Sequence, residues 1–182
     1  VTLSGRAAAA GLKVLAEARW PAEAGAVLTP IPGFVVSSFS PLVSEVADRC
    51  LRDHHGDAPV DPAHGERTAI VVASVNGDVG TAFAVANAID NGTRVYPLLF
   101  FQSVPNSIAG HIAAKWGLAG PVVCTSPSGD PIDDLLDSAA LLFDDGAATN
   151  ALLVLADSGL DDTTDGTAVA ALVTPSDNMF CR

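Results

Sequence analysis

The sequence predicts an α/β fold built on a largely parallel sheet. Apolar, β-branched runs at residues 68–74 (TAIVVAS), 121–125, 151–156 and 167–174 have the character of buried strands. Helical segments separate the first three of these runs, and strands that alternate with helices are joined by crossovers into parallel pairs. The last two runs are linked only by an acidic turn, residues 157–166, which allows an antiparallel pair and makes the sheet mixed.

Taken in order, residues 1–4 are expected as a short edge strand, followed by an Ala-rich stretch at 7–19. Residues 21–33 (PAEAGAVLTPIPG) form a loop, because prolines and glycines break any period. Ser40 and Pro41 open an amphipathic helix. Leu42, Val43, Val46, Cys50 and Leu51 share one of its faces, and it ends before Asp53-His54-His55-Gly56. Residues 56–65 are polar and Pro-containing, and are expected as an internal linker within a single domain spanning 1–182. After the first strand run, Gly77 and Gly80 turn the chain into a helix at 79–91 that Gly92 stops. Residues 95–101 are apolar but interrupted by Pro97, and 103–116 read as a helix closed by Gly117. The clearest helix is 131–146. Asp130 stands at its cap, Pro131 at its first position, and Ile132, Leu135, Leu136, Ala139, Leu142 and Phe143 form an apolar stripe.

Composition bounds the function. With 49% hydrophobic residues, 31 of them Ala, the 182-residue chain is not disordered. Chains of this size bury roughly 70% of their unfolded surface, so one domain needs no disulfide or metal staple. The net charge of -12 and the lack of any basic cluster argue against nucleic acid and against an anionic membrane surface. From Asp130 onward there are eleven acids and one base, Arg182, so nearly all of the charge lies in the last third. A solvated acidic surface and a patch that steers a basic partner both fit this distribution. Cys50, Cys124 and Cys181 form no CxxC pair, which suits a reduced, cytoplasmic setting. The N-terminal stretch is broken by Arg6 and Lys13, too short to span a membrane and without a signal-peptide cleavage pattern. Neither GxGxxG nor GxxxxGK[ST] is present, and no cofactor is expected.

A family becomes visible at Asn106-Ser107-Ile108-Ala109-Gly110-His111-Ile112-Ala113, followed by Gly117-Leu118-Ala119-Gly120-Pro121. This resembles the N-terminal half of β-ketoacyl synthases, which carry N-x-x-A-G-x-I/V-x and then G-x-x-G-P leading into the nucleophile strand. Pro97-Leu98-Leu99-Phe100 and the strand that begins at Asn150 fall where that family places them, so the resemblance covers residues 40–174. It implies a thiolase-like single lobe, a five-stranded mostly parallel mixed sheet flanked by helices. It also implies a two-lobed parent fold whose second-lobe histidine motifs find no counterpart after Thr174.

The family's chemistry uses a cysteine thiolate at a helix N-terminus, where the dipole and free N–H groups lower the thiol pKa. Counted from Gly120-Pro121, that nucleophile position is Gly129, which has no side chain to acylate. Asp130, Asp133 and Asp134 follow it and oppose a thiolate or oxyanion at the helix tip. The segment Ser126-Pro127-Ser128-Gly129-Asp130 resembles that of chain-length-factor-type proteins, which lack the nucleophile and pair with a catalytic synthase. The resemblance therefore implies a non-condensing protein of fatty-acid, polyketide or aryl-polyene biosynthesis. Its partner would be a second copy or a complete ketoacyl synthase, with acyl carrier protein engaged through that partner. The expected reason is physical: the 131–146 stripe would lie bare without a second lobe.

Other constellations carry less. Cys124 is the alternative, displaced nucleophile for an acyltransferase, against its reading as a buried structural thiol. Ser126 and Ser128 lack the G-x-S-x-G elbow of a serine hydrolase. His111 reads as a structural histidine on a helix, and Trp116 as a core plug. A non-catalytic module that binds acyl groups or carrier protein is a third reading. Asp53, His54, His55 and Asp57 lack the spacing that puts metal ligands on one helix face, so no metal is expected.

Overall fold

The computed structural model describes residues 2–23, 25–159 and 166–176. The chain runs α1 (Leu3–Ala9), β1 (Leu12–Trp20), α2 (Phe39–His55), α3 (Pro62–Gly65), β2 (Thr68–Ala73), α4 (Val79–Asp90), α5 (Pro97–Gln102), α6 (Pro105–Trp116), β3 (Val122–Thr125), α7 (Pro131–Asp144), β4 (Asn150–Asp157) and β5 (Thr167–Pro175). One five-stranded sheet results, in the order β1-β5-β4-β2-β3. Strand β2 pairs in parallel with β3 and with β4, whereas β5 is antiparallel to both β4 and β1. Four strands thus point one way and β5 the other, the mostly parallel mixed sheet expected above.

The sheet is covered on both faces. On one, α2 and α6 bring Leu42, Val46, Leu51, Ile108, Ile112 and Trp116 onto Ile70, Val72, Leu152 and Val154. On the other, α1 and α7 bring Leu3, Ala7, Leu135, Ala139 and Phe143 onto Ala69, Val71, Leu153 and Val173. Every residue of β2 is buried, which is why its sequence is an unbroken apolar run rather than an alternation. Trp116 is buried as expected, and its indole N–H donates to Asp48 Oδ1 at 2.6 Å while Lys115 pairs with Asp48 Oδ2.

Several boundaries differ from those expected. The N-terminus is a helix rather than an edge strand. Thr2 Oγ1 accepts from the Gly5 amide at 3.1 Å, and Leu3 and Ala7, one turn apart, are both buried. The Ala-rich stretch beyond Gly11 is β1, where pairing with β5 overrides the helix preference of alanine. Helix α2 begins at Phe39, not at a Ser40 cap, and Ser37 Oγ accepts from the Ser40 amide at 2.8 Å instead. It runs through Asp53 and both histidines, stopping at Gly56 with φ 80. The Pro-interrupted segment is helix α5, because Pro97 sits at its first turn, where a missing N–H costs nothing. Residues 56–65 join α2 to β2 and include α3, capped by Asp61.

The most consequential difference concerns α7. Its apolar stripe does not await a second lobe: Leu135 and Ala139 are fully buried against the chain's own sheet, with Leu136 and Phe143 beside them. Among the described residues, exposed large apolar side chains cluster on α4 and α5, with Phe83, Ile89, Leu98, Phe100 and Phe101.

Two glycines near β3 make opposite predictions. A Cβ at Gly120 would stand 2.3 Å from the Thr68 carbonyl oxygen and 2.6 Å from its carbon, and backbone in the sheet cannot retreat. At Gly129 a Cβ would meet nothing within 4 Å. Urea unfolding of Gly120→Ala should show a loss of about 3 kcal/mol. Gly129→Ala should change stability by less than about 0.5 kcal/mol.

Candidate functional site

The β3–α7 turn carries the residues singled out from the sequence. Strand β3 ends at Thr125, and the chain crosses Ser126, the buried Pro127, Ser128 and Gly129 before Asp130 starts α7. Gly129 is exposed and presents no functional group.

At the tip of α7 the helix's free donors are already taken. Pro131 has no N–H. The Ile132 and Asp133 amides donate to Asp130 Oδ1 at 2.9 and 3.4 Å, and the Asp134 amide reaches the Asp130 carbonyl at 3.3 Å. The positive end of the helix dipole is thus answered by a carboxylate that belongs to the chain. Arg6, from α1, closes the arrangement. Its Nη1 lies 2.6 Å from Asp130 Oδ2 and its Nη2 pairs with Asp133 Oδ1. The Arg6 contact, followed by the Ile132 amide, holds the Asp130 carboxyl below the usual carboxylate range. The same two carboxylates raise the pKa of Arg6. Sequence reasoning found Asp130 and Asp133 but missed Arg6, because nothing local marks a partner 124 residues away.

Cys124 faces a hollow of about 410 Å³ that it shares with Ser74, Asn76, Asn106, Thr125 and Ser126. Burial pushes its thiol up to about 11. Thr125 Oγ1, on the same wall, is buried without a hydrogen-bond partner. His111 borders a different hollow, of about 490 Å³, and its ring meets Phe34 edge-on at 6.0 Å. Among the described residues no hydrogen bond joins Cys124 to a histidine. Cys50 is buried, its thiol pushed up to about 12 by desolvation, and its Sγ reaches the Ala16 carbonyl at 3.5 Å. Cys181 lies outside the described residues.

The loop that borders the Cys124 hollow is held by Asp157 at the end of β4. Its Oδ1 accepts from Ser74 Oγ and from the Val75 and Asn76 amides, each at 2.9 Å. This organising role also went unread in the sequence, where Asp157 stood only as one acid among eleven.

The histidine region gathers a residue the sequence left out. His54 and His55 stack edge-on at 4.5 Å, and the His64 ring lies 6.2 Å from that of His55. His64 Nδ1 pairs with Asp61. Burial first, and then the neighbouring His54 and His64, lower the His55 pKa. Among the described residues no group of three or more His, Cys, Asp or Glu is placed to hold a metal ion. No helix there is long and apolar enough to cross a membrane.

With this geometry in view, the comparisons with known proteins give the class. Residues 36–179 match the sequence model of the β-ketoacyl synthase N-terminal domain, and the chain belongs to that family. No curated protein matches it. Among solved structures, it is similar to the ketosynthase ApeO in complex with its chain length factor ApeC from Xenorhabdus doucetiae. There the TM-score is 0.68 at 19% identity, over 91% of this chain and 79% of that one. The ishigamide ketosynthase/chain length factor gives 0.67 at 19% identity, over 85% of this chain and 49% of that one. A β-ketoacyl synthase from Burkholderia phymatum STM815 gives 0.60 at 18% identity, over 98% and 56%. The chain therefore spans about half the length of the latter two, and at these identities the likeness is one of fold: the thiolase-like ketosynthase lobe.

The Arg6–Asp130 contact makes stability depend on acid pH. A carboxyl whose folded pKa is depressed stabilises the fold above its ordinary value near 3.8, and that contribution is lost as pH falls through the folded value. Asp130→Asn keeps a capping oxygen but loses the charge. Its thermal midpoint should fall below that of the native chain at pH 7, and the gap should close as pH falls below the ordinary carboxyl value near 3.8 and through the depressed folded value. A gap that stays constant over this range would show that the charge contributes nothing.

Proposed function

We propose that this chain is a non-condensing, ketoacyl-synthase-like protein of the chain-length-factor type. It works as the partner of a complete ketosynthase in the assembly of a fatty-acid, polyketide or aryl-polyene chain. The observation that carries this reading is the tip of α7. The family's nucleophile position falls on Gly129, and the helix donors that would stabilise a thiolate or an oxyanion are occupied by Asp130, itself paired with Arg6. Electrostatic stabilisation of an oxyanion needs donors aimed at empty space, and here that space holds a negative charge. A partner must then supply the chemistry, along with any contact to acyl carrier protein. Similarity to assemblies described as ketosynthase with chain length factor supports the same reading.

The competing reading makes Cys124 a displaced nucleophile, since it borders a hollow. With its thiol pushed up to about 11, about one molecule in ten thousand carries the thiolate at neutral pH. Incubation with acyl-thioesters followed by intact mass spectrometry distinguishes the two. The expected outcome is an unmodified chain over hours at pH 7. An acyl adduct that disappears in Cys124→Ala would overturn the proposal.

A further inference from the structure

Three of the chain's four histidines meet where α2 ends and α3 begins. His55 is the ring common to both contacts: His54 lies edge-on to it at 4.5 Å, and His64 stands 6.2 Å away. His55 Nε2 is buried and has no hydrogen-bond partner. A neutral imidazole can turn an unprotonated nitrogen into such a place. An imidazolium cannot do so cheaply, because both of its nitrogens are donors and a buried charge without a partner is expensive.

The surroundings oppose a charge here. Asp53 and Asp57 lie within two residues of His55 in the chain, and α3 adds Asp61 at its cap and His64. Asp61 is already engaged by His64 Nδ1 and by the Ala63 amide at 3.0 Å. On α6, which packs against α2, Lys115 is paired with Asp48, two turns before His55. Burial first, then His54 and His64, disfavour charge on His55, and the pull of Asp61 is the weakest of the four influences. The negative end of the α2 dipole favours a cation at this position, yet the balance runs against one.

The cluster also sits on a fastening. The Val60 amide donates to the Trp116 carbonyl at 3.0 Å and the Ala119 amide to the Gly65 carbonyl at 2.9 Å, which ties residues 60–65 to the end of α6. Thr68 Oγ1 donates to the His64 carbonyl at 2.7 Å, at the start of β2. The fit is close, since a Cβ at Gly65 would run into the Gly117 carbonyl. We propose that this junction is an acid-sensitive latch: protonation of His55 draws water to its ring, parts α3 from the end of α2 and frees residues 56–65 from α6. A base that is harder to protonate in the folded chain stabilises the fold fully above its ordinary value of 6.5, and that contribution is lost as pH falls below 6.5 toward the folded value. The latch is independent of the partner role proposed above.

Hydrogen exchange of the full chain, corrected for its intrinsic pH dependence, tests this at about pH 7.5 and about pH 5.5, on either side of the ordinary histidine range. Protection of the Val60, Gly65 and Ala119 amides should fall about tenfold or more, while Ile70 and Leu153 in the sheet should change less than about twofold. In His55→Phe, which keeps a ring but cannot charge, the loss at the junction should vanish. Proton NMR of the native chain should show His55 titrating below 6.5, a readout that stands even if the variant misfolds. Unchanged protection at the junction, an equal loss in a folded His55→Phe, or His55 titrating at or above 6.5 would overturn the latch. A loss shared equally by the sheet would mark global acid unfolding and overturn it as well.

Discussion

Strand β2 has solvent on neither side, so helices must cover both faces of the sheet before the centre of the molecule can exist. That constraint assigns four helices. Helices α2 and α6 close one face, and α1 and α7 close the other. Once these are placed, α4 and α5 have no sheet left to cover. Their apolar residues, too numerous for a surface helix pair, remain outward. The exposed apolar cluster therefore lies at the part of the chain that the sheet does not use, and not at the α7 stripe, which the sheet buries.

The same arrangement decides the chemistry of the α7 tip. For α1 to seal the lower face, Leu3 and Ala7 point inward, and Arg6 on the same short helix is carried to the start of α7. There it meets Asp130 and Asp133. A helix N-terminus ordinarily offers unsatisfied donors and a favourable dipole to an anion. Here the cap carboxylate takes the donors and the arginine balances the carboxylate. The tip of α7 is thereby a structural joint between α1 and α7.

Much of this was legible in the sequence, for identifiable reasons. The β2 run and the α7 stripe were readable because two-sided burial and helical periodicity leave continuous marks. Asp130 and Pro131 were readable because a cap and a first-turn proline are local chemistry. The start of the chain was misread as an edge strand because four residues carry no helical period, and what decides for α1 is the burial of Leu3 and Ala7 against residues remote in sequence. Arg6, Asp157 and the His55–His64 contact escaped for the same reason, since each owes its role to a neighbour remote in sequence. The bare face of α4 escaped differently. Its composition reads as a buried helix, and only the packing of the sheet shows that, among the described residues, none buries it.

In the proposed role this chain contributes to chain assembly without condensing. Reconstitution with acyl- and malonyl-carrier thioesters tests it most directly, by comparing products of a complete ketosynthase with and without this chain. The account predicts no product from the chain alone and an altered yield or length distribution when it joins the ketosynthase. Condensation by the purified chain in the absence of any other synthase would contradict it.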